Sequence, residues 1–218
     1  MRILGDKPLF CHAIQNALLS SYVDDVVIDS DSDEILRIGE KEGAIPLKRP
    51  LHLAINEATG DDLAYWQASN YPKSDIIVQT PPTSPFLNPA SIDHAIFRLS
   101  FDNFDSVAGV YKDVFYRWIN DKPTYYTPYG NLPNSFNMIP TVYETMGLCA
   151  VRTEFVLKHK KRLNIESCSP LYLSKIESVD INTEDDFHFA QIIWQGLYGG
   201  IVDPPMINSP SVDPQDCK

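Results

Sequence analysis

The stretch RILGDKPLFCHAIQNALLSSYVDDVVIDSDSDEIL, residues 2–36, sets out a loop, a helix, a strand and an acidic turn in one line. Arg2 to Lys7 reads as the loop. Asp6 can cap a helix, and Pro8 suits its first turn, where the missing N–H has no intrahelical partner in any case. Leu9, Phe10, Ala13, Ile14, Ala17 and Leu18 recur at helical spacing and mark one apolar face. Asp25 to Asp29 is a short β-branched run, read as a buried strand. The turn from Asp29 to Asp33 leads into a second helix over Asp33 to Glu42, stopped at Gly43.

The same alternation continues along the chain. Ile45 to Leu47 reads as a short strand, and Thr59 to Ser69 as a helix. Asp75 to Thr80 is a buried strand ended by Pro81 and Pro82. Asn88 caps a helix with Pro89 in its first turn and Ile92, Ala95, Ile96 and Leu99 facing inward. Ser106 to Val110 is a strand. Tyr111 to Pro140 is aromatic and Pro-rich without clean periodicity, too long for a plain loop and suited to packing against a second subunit. Met146 to Val151 reads as a strand, Thr153 to His159 as a helix, Leu173 to Ile176 as a strand, and Thr183 to Trp194 as the last long helix. These make one domain over residues 1–198, with a Pro-rich tail over 199–218 expected to be flexible. Strands alternating with helices imply an α/β sheet covered on both faces, with ligands beyond the carboxyl ends of the strands.

Composition removes several function classes. The chain has 218 residues, enough for one domain with a sizeable core. Its net charge is −11. No basic stripe is present, so binding nucleic acid by phosphate neutralisation is not expected. The basic cluster Lys158 to Arg162 lies at a helix end, where it complements the helix dipole. No apolar run is long enough for a membrane span and no signal-peptide pattern occurs, so a reducing cytoplasm is the expected compartment. Cys11, Cys149, Cys168 and Cys217 form no C-x-x-C pair, and Cys11 and Cys149 lie in apolar stretches as buried thiols. The five histidines show no metal-ligand spacing.

Five stretches, in order, resemble the acylneuraminate cytidylyltransferases, which activate sialic acid and related acidic sugars as CMP-sugars. They are residues 2–36; Ile45-Pro-Leu-Lys-Arg-Pro50 with Leu53-Ala54 and Thr59; Ile76-Ile-Val-Gln-Thr-Pro-Pro-Thr-Ser-Pro-Phe86; Pro140-Thr-Val-Tyr-Glu-Thr-Met-Gly147; and Ser178-Val-Asp-Ile-Asn-Thr-Glu-Asp-Asp-Phe187. The resemblance implies a three-layer α/β/α domain. Its mixed, mainly parallel, Rossmann-like sheet would be of the nucleotide-diphospho-sugar transferase type. It further implies transfer of CMP from CTP to an acidic nonulosonic sugar with loss of pyrophosphate, a homodimer, and Mg2+ bridging phosphate oxygens.

By the same resemblance, Arg49 and Thr59 are nucleotide-binding, while Thr83, Ser84 and Tyr143 meet the sugar; Asp31, just past a strand end, and Gln79, one pleat period before the family's glutamine position, are placed with the nucleotide by position. Asp180 and Asn182 are placed at the metal, and no catalytic residue is assigned. Plainer readings stand beside these. Arg49 can be a surface residue beside Pro50, Thr59 a helix cap, Asp31 a turn residue, and Asp180 an acid near a helix N-terminus. Thr83 and Ser84 can be turn formers, and Asn182 a cap.

The chain also departs from the family pattern. Met1 stands where an Ala-Arg-Gly-Gly-Ser-Lys-type phosphate loop is expected, so the first central strand is expected to be lacking. The strands at Val26–Asp29 and Ile76–Gln79 should then either close on each other or leave a gap. Pro81 replaces a glutamine, leaving Gln79 one pleat period deeper on the same face. Glu144 stands for an arginine and Asn182 for an acid. Weak or absent activity is therefore expected. Two other readings are a non-catalytic binding or assembly protein on the same fold, and a sugar nucleotidyltransferase using another nucleotide.

Overall fold

The computed structural model describes residues 1–124, 130–131 and 134–199. The tail at 200–218, Cys217 included, and residues 125–129 and 132–133 of the aromatic excursion lie outside the described residues. The chain opens with a tight antiparallel pair, Ile3–Leu4 (β1) on Lys7–Pro8 (β2). Gly5 makes the turn at φ +64°, and a Cβ there would stand 2.1 Å from the Trp194 ring. The position therefore needs glycine for backbone and space alike. Helix α1, Leu9–Leu18, starts at an extended Pro8 and has no side-chain cap. Asp6 does not cap it, because the turn between β1 and β2 consumes that residue.

A parallel unit follows: Val27–Ser30 (β3), helix Asp33–Lys41 (α2) and Ile45–Lys48 (β4), with Val27 opposite Ile45 and Ser30 opposite Lys48. Ser32 caps α2 by accepting from Ile35 N–H, and Asp33 and Glu34 complement its dipole. Gly39 lets α2 sit close on β3, since a Cβ there would meet Ile28 at 2.8 Å. A 3₁₀ turn over Leu51–Leu53 leads to helix α3, Gly60–Asn70. Then come Ile76–Gln79 (β5), helix Pro89–Phe101 (α4) and Ser106–Asp113 (β6). Asn88 caps α4 with Pro89 in its first turn, as its sequence implies.

A small hairpin, Trp118–Ile119 (β7) with Lys122–Pro123 (β8), stands on the excursion. The remaining elements are Thr141–Arg152 (β9), Thr153–His159 (α5), Cys168–Tyr172 (β10) and Glu184–Tyr198 (α6). The main sheet runs β10-β6-β9-β5, with β10 parallel to β6 and β9 antiparallel to both neighbours. Strands β5, β6 and β10 thus share one direction, and β9 is reversed between them. Side-chain alternation makes the three layers. Ile76 and Val78 pack with Val107, Leu148 and Ala150 beneath α4, whereas Ile77 and Val151 pack with Ala64, Ala68 and Val156 beneath α3 and α5.

Strand β10 lies five residues before the expected Leu173–Ile176. Pro170 is tolerated within β10 because this is the outer strand, where a missing N–H costs no ladder bond. Residues 174–178 instead form a turn fastened by Glu177. Of the two outcomes expected between Val26–Asp29 and Ile76–Gln79, the structure shows the gap. Strand β3 pairs with β4 and β5 with β9, and the two share no ladder. The α/β/α layering holds, divided into a four-stranded sheet and a separate two-stranded one.

Candidate functional site

The carboxyl ends of β3 and β5 carry a row of polar side chains across the divide between the sheets. Asp29, in β3, has a side chain only 7% exposed. Its Oδ1 accepts from Arg49 Nε at 3.1 Å, and its backbone carbonyl accepts from Arg49 Nη2 at 2.9 Å. Parallel pairing places Asp29 opposite Leu47, so Arg49, one pleat period further on, returns to the same face. Asp29 Oδ2 accepts from Gln67 Nε2 at 2.9 Å, and Gln67 Oε1 accepts from Gln79 Nε2 at 2.9 Å. Two proposed nucleotide residues, Arg49 and Gln79, are thereby joined through Asp29 and Gln67, neither of which the sequence reading singled out. An acid closing a buried β-branched run was the available signal for Asp29. Nothing in the local pattern marked Gln67.

Beside this row lies the turn after β5. Ser84 is 2% exposed and its Oγ has no hydrogen-bond partner among the described residues. Gly147 lies against it, where a Cβ would come within 2.7 Å of Ser84 Oγ. The close approach depends on a bulge in β9, where Met146 takes a left-handed φ of +59° and Gly147 N–H donates to Thr145 Oγ1. Thr83 carbonyl accepts from Ile181 N–H at 2.9 Å, bringing the 180–182 segment to the same turn. Asp180 Oδ2 accepts from Asn182 Nδ2 at 2.8 Å. Asp180 Oδ1 is buried and without a hydrogen-bond partner among the described residues.

The other sequence-selected residues are placed as follows. Thr59 forms a capping box with Asp62 at the start of α3. A nucleotide contact from its hydroxyl would compete with that box. Asp31 is exposed, and its carbonyl accepts from Lys48 Nζ. Thr183, not Asn182, caps α6, in a second capping box with Asp186. Asn182 is therefore free of the capping role that its position suggested. Tyr143 stands on the β6–β9 ribbon, edge-on to Tyr111 at 5.7 Å. Burial first, then Tyr111 and Asp113, pushes its hydroxyl above the ordinary tyrosine range. Glu144, opposite Val110, is exposed. Cys149, paired with Gln79, is pushed up to about 12 by burial, so its thiol stays protonated near neutral pH.

The donor set admits a hard cation on one carboxylate. Asp180 Oδ1 is an unpartnered buried acceptor, and Asn182 retains a carbonyl oxygen while its amide faces Asp180. Mg2+ takes one or two carboxylates and completes its shell with water and phosphate oxygens. No group of three or more His, Cys, Asp or Glu side chains is arranged for a metal among the described residues.

In an α/β/α sheet, polar residues at the carboxyl ends of the strands stand where such folds bind their ligands. The chain belongs to the cytidylyltransferase family, of the acylneuraminate type that its motifs resemble: the family profile described as cytidylyltransferase matches residues 1–117. It is 30% identical over 201 residues to the CMP-N,N'-diacetyllegionaminic acid synthase of Legionella pneumophila, covering 87% of this chain and 86% of that protein. An N-acylneuraminate cytidylyltransferase of Escherichia coli is 33% identical over 94 residues, 43% of this chain and 22% of its own length. A solved CMP:2-keto-3-deoxy-manno-octonic acid synthetase, complexed with CTP, superposes with a TM-score of 0.65 at 11% identity, covering 90% of this chain and 91% of that one. The 4-diphosphocytidyl-2C-methyl-D-erythritol synthase of Anaerococcus prevotii does so at 0.64 and 14%, over 88% of each chain. These two likenesses concern the fold. Among the described residues no helix is long and apolar enough to cross a membrane.

Proposed function

We propose that the protein is a CMP-sugar synthetase, transferring CMP from CTP to an acidic nonulosonic sugar, and that the chain does so slowly. The observation that carries this reading is the match to the legionaminic acid synthase, which runs over nearly the whole of both chains. In the proposed reaction a sugar hydroxyl attacks the α-phosphate, an oxygen–phosphorus bond forms, pyrophosphate leaves, and the hydroxyl proton passes to solvent. Such chemistry depends on positioning and charge neutralisation. Arg49, held by Asp29 through Nε and one Nη2 hydrogen, keeps Nη1 to meet the nucleotide. Gln79 shares a hydrogen-bonded row with Arg49, Asp31 and Thr59 are assigned to the nucleotide by position and motif alone, and Thr83, Ser84 and Tyr143 are assigned to the sugar. Asp180 and Asn182 would hold Mg2+, which supplies charge neutralisation on phosphate oxygens when bound.

Slow turnover follows from where the cations are spent. Arg49 is neutralised by Asp29, and Lys48 is committed to Asp33 at 2.5 Å. Asn182 contributes no charge beside Asp180. Three free cysteines among the described residues accord with a reducing cytoplasm. The test is calorimetric titration with CTP and Mg2+ of the natural protein and Arg49→Lys. Lysine keeps the charge toward Asp29 but loses the planar fork, so CTP should bind the variant about tenfold more weakly. Equal CTP affinity in the two proteins would remove Arg49 from the nucleotide site.

A second reading, assembly through this fold, is supported by the β6–β9 ribbon and the residues flanking it. Val142 and Tyr143 are each 43% exposed, Trp118 is 58% and Ile139 is 80%. A homodimer that covers Val142, Trp118 and Ile139 and leaves Tyr143 open to the sugar is compatible with the enzymatic reading.

A further inference from the structure

The row from Asp29 to Gln79 has a direction fixed by chemistry. Asp29 is ion-paired to Arg49, and an ionised carboxylate only accepts hydrogen bonds. Its Oδ2 must therefore face the –NH2 of Gln67. That turns Gln67 Oε1 toward Gln79, which must answer with its own –NH2. Reversing the Gln67 amide would set oxygen against carboxylate, and reversing the Gln79 amide would set oxygen against oxygen. The row thus ends on Gln79 Oε1, a buried acceptor without a hydrogen-bond partner among the described residues. A buried acceptor left in this way favours any ligand that brings it a donor and disfavours one that brings another acceptor.

We propose that Asp29, acting through Gln67, fixes Gln79 Oε1 as the acceptor for the exocyclic amine of a cytosine base, so that the site selects CTP over UTP. The inference rests on the CMP-sugar synthetase reading and deepens it. Gln79 is the last residue of β5, at the carboxyl end where ligands of such sheets bind. Through Gln67 and Asp29 it shares one hydrogen-bonded row with Arg49. Cytosine carries an amino donor where uracil carries a carbonyl acceptor. With uracil, two acceptors would face each other and both would stay unpaired. Asp29 and Gln67 are positioning residues in this scheme, and Gln79 alone touches the base.

The test is calorimetric titration of the 218-residue protein with CTP and with UTP, each with Mg2+, alongside Gln79→Met and Gln67→Met. The natural protein should bind CTP about tenfold or more tightly than UTP. In Gln79→Met the ratio should fall toward one, because CTP binding weakens while UTP binding does not. Gln67→Met leaves Gln79 in place but free to turn its amide, so the ratio should fall there too, and a purely structural role would not move it. Thermal melting shows that each variant is folded, and should Gln79→Met fail this control, Gln67→Met carries the test. A preference for CTP unchanged in the variants overturns the inference and leaves the CMP-sugar synthetase reading standing. Equal weakening of both nucleotides also overturns it, placing Gln79 on the ribose or phosphates. Absence of binding by either nucleotide to the natural protein overturns the inference and the reading together.

Discussion

Glu177 fastens the 174–178 turn to the start of α4. Its Oε1 accepts from the Ser91 hydroxyl at 2.5 Å and from Asn88 N–H at 3.2 Å, while Oε2 accepts from the Ser174 hydroxyl and N–H. Burial acts to raise its carboxyl, but these hydrogen bonds outweigh it and hold the group below 4.5. A depressed folded value means stability that is present above about pH 4.5 and lost as pH falls through that lower value. Glu177→Gln should thus cost about 1 kcal/mol near neutral pH, allowing for partial exposure. Urea unfolding at several pH values should show the gap between natural and variant protein narrowing below about pH 4.5. A gap of constant size across that range would contradict the assignment. Single residues were unevenly legible in the sequence. Arg49 and Gln79 stood out through their motifs, whereas Glu177 and Gln67 act through partners 86 and 38 residues away. No local pattern encodes such distances.

At the scale of elements, periodicity and caps carried most of the reading. Ser32, Thr59, Asn88 and Thr183 each cap the helix that follows. Misreadings arose where tertiary pairing overrode a local signal: Asp6 drawn into the β1–β2 turn, and the strand expected at Leu173–Ile176 formed instead at Cys168–Tyr172 beside β6. The β6–β9 ribbon runs further than its β-branched cores suggested, to Asp113 and back to Thr141. Beyond the last apolar pair, cross-strand aromatic contact takes over, as between Tyr111 and Tyr143. If this ribbon joins two copies of the chain, sedimentation should show a dimer for the natural protein. Paired changes Val142→Asp and Ile139→Asp should then shift it toward monomer, since each would place a charge in an apolar interface. A natural protein that sediments as a monomer at micromolar concentration would contradict this use of the ribbon.

In the whole molecule, the apolar scaffold of the acylneuraminate cytidylyltransferase type is kept around a sheet that divides in two. The α4 and α3/α5 cores lie on opposite faces of the main sheet, and the α1/α2 core surrounds β3 separately. The Asp29–Gln67–Gln79 row and the Arg2–Glu184 pair, at 2.6 Å, hold distant parts of the chain together. The layering was legible in the alternation of strands and helices. The bridging row was not, because it depends on which strands come to stand side by side. The most direct test of the proposed function is pyrophosphate release from CTP, with and without an acidic nonulosonic sugar, followed together with formation of the CMP-sugar. The account predicts release that requires both substrates and runs below the ordinary range of about 1 to 1,000 per second. Absence of release with both substrates present would contradict the transfer, as would release that does not need the sugar.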